Sequence, residues 1–255
     1  VATLPTVNGN EDVVMRILAG AKPKPPEKMG FSVHNLARLR DAISRPHGLF
    51  LCVGPTGSVK TTTLHSALGA INDTRRKICT AEDPVEITQA GLRQVQVQPK
   101  IGLTFAAAMR AFLRADPDVI MIGEMRDHET ASTAIEASLT GHMVFSTLHT
   151  NSAPETITRL LDMGLDPFSF ADSLVGVLAQ RLTRQLCAAC AAIVVATPSE
   201  RDQLAEALDS LPRELRVDVG RDTQLRRAKG CPECGDTGYR GRLAVHELLL
   251  ATPPI

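Results

Sequence analysis

Tryptophan is absent from the 255 residues and tyrosine occurs once, at Tyr239. That scarcity argues against the aromatic stacking platforms that bind single-stranded nucleic acid. Net charge is lacking too, because 28 basic side chains cancel 28 acidic ones. A nonspecific nucleic-acid binder would carry a basic excess, so a helicase or DNA translocase is disfavoured. Long hydrophobic runs are missing: "GLFLCVG" and "DVIMIG" are far too short to span a bilayer. With no basic-then-apolar signal start and no lipidation motif, a cytosolic address is the expectation.

Six cysteines are present, although disulfides are rare in reducing compartments. Cys52 and Cys79 lie in apolar, strand-like runs and read as small core residues. The other four form Cys187-x-x-Cys190 and Cys231-x-x-Cys234, on the short turns "LCAAC" and "GCPEC". Two such pairs suit four thiolates around one tetrahedral Zn2+. Four protein ligands leave no open position, so that metal would be structural. Two disulfides or a redox pair are the rival readings.

The pattern along the chain divides it into five parts. Residues 1–18 read as strand, turn ("NGN") and strand, the end of a preceding domain; residues 19–30, rich in Pro, Gly and Lys, read as a linker. From residue 31 to 186 helical patterns alternate with short apolar strands. The strands are "GLFLCV", "KICTAE", "RQVQVQ", "DVIMIG" and "HMVFSTL". The helices include "SVHNLARLRDAI", "TTTLHSALGAIN", "TFAAAMRAFLRA" and "ETASTAIEASL". That rhythm predicts a mostly parallel α/β sheet, with a ligand site at the carboxyl ends of its strands. Residues 187–241 form a separate tetracysteine unit, and 242–255 begin a C-terminal region.

One glycine-rich stretch, "GPTGSVKTTTL", lies directly after a strand and before a helix. In the pattern G-x-x-x-x-G-K-[ST], backbone N–H groups cradle phosphates, the lysine neutralises them and the hydroxyl holds Mg2+. Gly54, Pro55, Thr56, Gly57, Ser58, Lys60, Thr61 and Thr62 supply such a loop, with Thr61 as the magnesium ligand. Val59 stands where the pattern has glycine. A β-branched residue held in the left-handed backbone of that position would cost on the order of 1–3 kcal/mol; otherwise the loop must change shape. A surface turn with a chance lysine is the plainer alternative.

Two acidic elements accompany the loop. "DPDVIMIGE" has the shape of a strand ending in a metal- or water-organising acid, Glu124, though a plain strand with a solvated glutamate looks the same. "AEDPVE" places Glu82, Asp83 and Glu86 on a turn fixed by Pro84. Three acids there would repel one another without a cation nearby, and a solvated loop is the alternative.

Together, "GPTGSVKTTTL", "TAEDPVE", "LRADPDVIMIGEMRD", "TGHMVFSTLHTNSA" and "LAQRL" resemble, in order and spacing, the Walker A, Asp box, Walker B and His box of bacterial secretion ATPases. The nearest groups are the type II secretion ATPase (GspE) and its pilus-assembly relatives. The likeness runs from "TLPTVNGNEDVVMRIL" to "GYRGRLAVHELL" and includes the tetracysteine unit, which pilus-retraction relatives lack.

The resemblance implies a RecA-like P-loop NTPase core with a small tetracysteine zinc-binding subdomain, after the remnant of a PAS-like domain in residues 1–18. It assigns Lys60, Glu86 and Glu124 to catalysis, with Glu86 activating water and Glu124 positioning Mg2+. His142 and His149 would sense the γ-phosphate side. Arg110, Arg114 and Arg126 would line the nucleotide or subunit interface, and Arg16 would reach the phosphates. It further implies ATP, Mg2+ and Zn2+ as cofactors and a homo-oligomeric, hexameric ring driving pseudopilus assembly and protein secretion. Its partners would be inner-membrane platform and cytoplasmic-domain proteins, and it would sit peripherally at the inner membrane with no span of its own. A pilus-assembly ATPase and a ring subunit that has lost hydrolysis, as Val59 suggests, are the alternatives.

Overall fold

The computed structural model describes residues 2–15, 23–211, 213 and 216–251. It divides into two compact units, Val1–Arg181 with Ala244–Ile255, and Leu182–Leu243. The first opens on an antiparallel hairpin, β1 (Ala2–Pro5) against β2 (Glu11–Val14). Its turn uses left-handed backbone at Asn8 and Gly9, the two residues that best tolerate it. Helix α1 (Val33–Ile43) follows, with the Ser32 hydroxyl accepting from the Asn35 amide at 3.1 Å. Such a cap satisfies one of the donors left over at a helix start.

The centre is built from β3 (Gly48–Val53), α2 (Lys60–Ile71), β4 (Ile78–Glu82), β5 (Leu92–Gln96), α3 (Phe105–Leu113), β6 (Val119–Ile122), α4 (His128–Leu139) and β7 (Met143–Leu148). Then come α5 (Ala153–Asp162), α6 (Pro167–Ser173) and β8 (Leu174–Leu186). Polar residues at the right places start these helices: Thr104, Asp127 and Ser152 each cap the helix that follows. Every strand pairing among β3 to β8 is parallel. Alternate residues of β3 serve opposite faces of the sheet. Leu49, Leu51 and Val53 join the core that also holds Met109, Phe112 and Ile135. Phe50 and Cys52 join the one holding Leu39, Leu64 and Phe145. Helices cover both faces, which is why the strands read as unbroken apolar runs. Cys52 and Cys79 are buried there.

In the second unit, β9 (Ala192–Val195) pairs antiparallel with β10 (Gln224–Arg227), and α7 (Pro198–Asp209) lies between them in sequence. Thr197 and Glu200 form a reciprocal capping box at the start of α7. The last strand, β11 (Tyr239–Leu250), returns to the first unit and completes a seven-stranded sheet of order β11-β8-β3-β7-β6-β4-β5. No helix among the described residues is long and apolar enough to cross a membrane.

Candidate nucleotide site and tetracysteine cluster

Parallel register brings one end of each central strand to a common edge. Val53 at the end of β3 pairs with Leu148 of β7 and Ala179 of β8, while Ile122 of β6 pairs with Ser146 and Ala81. The loops after β3, β4, β6 and β7 therefore emerge together, where parallel sheets place ligands. The loop Gly54–Val59 leads straight into α2. It turns through positive φ at Gly54 (148°), Gly57 (79°) and Val59 (59°). At ψ 35°, Val59 is fully left-handed, so the loop has kept its shape and placed a β-branched residue in the costly conformation.

Around the loop the packing is close. A Cβ on Gly54 would lie 2.2 Å from the Gln180 carbonyl oxygen, so only glycine fits. The Gln180 side chain, buried on β8, donates from Nε2 to the Ser58 carbonyl and accepts from the Thr63 hydroxyl at 2.7 Å. Gln180 stands inside "LAQRL", yet its part in holding the loop went unread. The Lys60 ammonium donates to the carbonyls of Gly54 (2.8 Å) and Pro55 (3.2 Å). Burial pulls its pKa down, offset in part by the Glu124 carboxylate. Pro55, Thr56 and Gly57 are exposed, and Thr61 and Thr62 are half-buried in the first turn of α2.

Glu124 follows β6 after Gly123. Its carboxylate pairs with Arg126 at 2.5 Å and lies 3.6 Å from His149 Nε2. The hydrogen bond from Arg126 raises that guanidinium's already high pKa. Backbone and hydroxyl contacts fix this corner: Thr147 donates to the Gly123 carbonyl at 2.6 Å, and the Met125 amide donates to the Thr147 carbonyl at 3.0 Å. One hydroxyl (Thr61) and one carboxylate (Glu124) at the same edge are the hard oxygen donors that Mg2+ prefers.

Other expectations are redistributed. Glu82 is not presented on a turn with Asp83 and Glu86. It is 2% exposed and points into the protein, where it accepts from His65 Nε2 (2.9 Å), the Thr80 hydroxyl (2.6 Å) and Gln94 Nε2 (3.0 Å). Burial alone would raise its pKa, but those three bonds outweigh it and hold the carboxyl below its ordinary 4.5. With Glu82 turned inward, two acids remain on the turn, and Arg126 lies near enough to Asp83 to attract it. Asp83 is exposed and Glu86 half-buried.

His142 is not brought to the site. It precedes Met143, and its carbonyl accepts from the amide of Gly48, at the start of β3. Six residues of β7, about 20 Å at 3.3 Å each, separate it from His149. The ring instead contacts the Ala137 carbonyl at 3.0 Å, at the end of α4. Arg110 pairs with Glu129 at 2.5 Å on an exposed surface. Arg114 caps the end of α3 at the same remote edge, since the neighbouring Ala115 carbonyl accepts from Lys77, the residue before β4. Arg16 lies outside the described residues.

In the second unit the four cysteines converge. Sγ to Sγ distances are 3.9 Å for Cys187–Cys231 and for Cys190–Cys234, and 3.7 Å for Cys231–Cys234. No disulfide links them, and all four sulfurs lie within 4.8 Å of one another. Tetrahedral Zn–S bonds of about 2.3 Å place sulfurs about 3.8 Å apart, which the three shortest pairs match. Amides of Cys231 and Gly238, each 3.2 Å from Cys234 Sγ, are positioned to stabilise a thiolate. Desolvation opposes them, yet the Cys234 thiol is drawn down to about 6.

Comparison with known proteins agrees with the fold. The family model described as "Type II/IV secretion system protein" matches residues 1–255. The type II secretion system ATPase E of Vibrio cholerae is 49% identical over 98% of this chain and 48% of its own length. The type IV pilus assembly ATPase PilB of Myxococcus xanthus is also 49% identical, over 98% of the chain and 43% of its own. The chain thus spans about half the length of the curated relatives it matches. Among solved structures, the pilus retraction motor PilT with bound ADP superposes with a TM-score of 0.59 at 38% identity, covering 68% of this chain and 52% of that one. The Legionella pneumophila ATPase DotB gives 0.60 at 26% identity, over 91% and 52%. Matched from end to end by that family model, the chain belongs to the type II/IV secretion system protein family.

Proposed function

We propose that this chain is the ATP-binding motor core of a ring-forming secretion ATPase that drives pseudopilus assembly and protein secretion by a type II system. The observation that carries the reading is the loop Gly54–Val59, turned through three positive φ angles into the start of α2, beside Glu124 on the same sheet edge. Amides of the loop and of the first helical turn converge on a phosphate chain, and the helix end adds positive potential. Lys60 exchanges its two carbonyl partners for phosphate oxygens and neutralises them. Thr61 and Glu124 would hold Mg2+, which neutralises charge developing on the transferred phosphoryl group. Arg126 and His149 keep the Glu124 carboxylate oriented, and Glu86 on the loop after β4 orients the attacking water. The ring is hexameric, and partner proteins hold it at the inner membrane. In the second unit, Cys187, Cys190, Cys231 and Cys234 hold a structural Zn2+.

Val59 sets the activity. Its isopropyl group stands where the nucleotide's phosphates approach a glycine in the usual loop, so turnover is weak. Titrating a fluorescent ATP analogue with Mg2+ onto the chain, alongside phosphate release, tests the reading. The chain should bind weakly, and Val59→Gly should bind and turn over faster. No binding by either protein would sink it. Tight binding without turnover by both would instead mark a hydrolysis-deficient scaffold, a second reading that Val59 itself favours.

A further inference from the structure

Behind the loop, α2 carries His65, which is 0% exposed. Its hydrogen-bond partners fix its protonation. Gln89 Nε2 donates to the His65 carbonyl at 2.8 Å, which settles the orientation of that amide. The same nitrogen lies 3.2 Å from His65 Nδ1 and has only hydrogens to offer. Nδ1 must therefore accept, and the ring proton sits on Nε2, 2.9 Å from Glu82 Oε2. Gln94 is fixed in the same way: its Oε1 accepts from the Gln89 amide (2.8 Å), and its Nε2 donates to the Ile87 carbonyl (2.7 Å) and to Glu82 (3.0 Å). Imidazole, carboxylate and two amides thus form one network, buried at His65 and Glu82 and half-buried at the two amides.

Its position gives the network a task. One end is α2, which begins with Lys60 and Thr61; the other is the root and body of the loop carrying Asp83, Glu86 and Gln89. We propose that His65 is a positioning residue for the nucleotide site: as a neutral imidazole it locks the helix that begins at Lys60 to the acidic loop that carries Glu86. This rests on the motor-ATPase reading above. It follows that losing His65 should disturb the placing of the water-orienting acid more than the grip on phosphates, which comes from loop amides and Lys60.

The test compares His65→Phe with His65→Gln in a Val59→Gly background of the full chain. Glutamine keeps one N–H donor for Glu82 and one acceptor for Gln89; phenylalanine keeps neither. His65→Phe is expected to lower kcat at least tenfold with nucleotide Kd within threefold of the parent, while His65→Gln stays within threefold in both. Unchanged kcat in His65→Phe, a parallel loss of binding, or no rescue by glutamine would overturn the proposal. If the Val59→Gly parent turns over no ATP, the motor reading fails by itself, and amide hydrogen exchange still decides the lock. At least tenfold faster exchange across residues 83–91 in His65→Phe, but not in His65→Gln, supports it; equal exchange in both refutes it.

Discussion

Replacing Val59 by glycine should do two separable things, and the backbone angle decides which is which. At φ 59° and ψ 35°, an L-residue pays roughly 1–2 kcal/mol, and a β-branched one up to about 3. Glycine removes that cost but gives back about 0.5–1 kcal/mol through a more flexible unfolded chain. The net gain is about 1 kcal/mol, or about 2–4 °C in Tm for a domain of this size. None of it should appear as nucleotide affinity. The strain is already paid in the folded chain, and it cancels between the free and bound loop when both are left-handed. Any gain in affinity therefore measures the isopropyl group alone. Displacing it should be worth ten- to a hundredfold in Kd, or about 1.4 kcal/mol per decade. Val59→Ala separates the two, because alanine keeps a left-handed Cβ but loses the isopropyl group. Thermal unfolding without ligand and calorimetric titration with an ATP analogue should show Val59→Gly more stable and tighter-binding, and Val59→Ala tighter-binding with a smaller gain in stability, limited to the β-branched surplus. Equal Tm values for Val59→Gly and the parent would refute the strain argument. Equal stabilisation by alanine would place the cost in the side chain's surroundings instead.

Three further outcomes can be checked. Gly54→Ala puts a methyl carbon 2.2 Å from the Gln180 carbonyl and should cost about 3 kcal/mol or more, read as a fall in the denaturation midpoint or loss of soluble protein. Protein purified under reducing conditions should carry one zinc per chain by elemental analysis, and Cys231→Ser should abolish it and open residues 182–243 to protease; a metal-free parent would end the assignment. Because the Glu82 carboxyl sits below its ordinary 4.5 when folded, it binds its proton less readily there than in the unfolded chain. Its stabilising share is present above about pH 4.5 and fades as pH falls through the folded value. The parent should accordingly lose Tm more steeply below pH 4.5 than Glu82→Gln does; identical slopes would contradict the shift.

Much of the core was legible because both sheet faces are buried, so β3, β6 and β7 read as continuous apolar runs. The loop was legible because its chemistry is local, with glycines, lysine and hydroxyl within a few residues. Local reading failed where partners are distant in sequence. Nothing around "AEDPVE" says that Glu82 turns inward, since the groups receiving it come from α2, β4 and β5. The box "HMVFSTLH" reads as one feature, but a parallel strand carries its two histidines to opposite edges of the sheet. β8 was missed as a strand because its inward half is apolar and its outward half carries Arg181 and Arg184, giving neither a clean run nor a clean alternation. Gln180, at the junction of the halves, was lost with it.

Lys60 has a consequence of its own. Its ammonium does not hang in solvent but rests on the carbonyls of Gly54 and Pro55. An arriving phosphate must displace partners that never diffuse away, so part of the attraction of the cation is offset by what it gives up. Departure is eased by the same arithmetic, because the carbonyls recapture the ammonium as the phosphate leaves. On the ATPase reading proposed above, the loop carries its own competitor against bound phosphate, which favours release over grip.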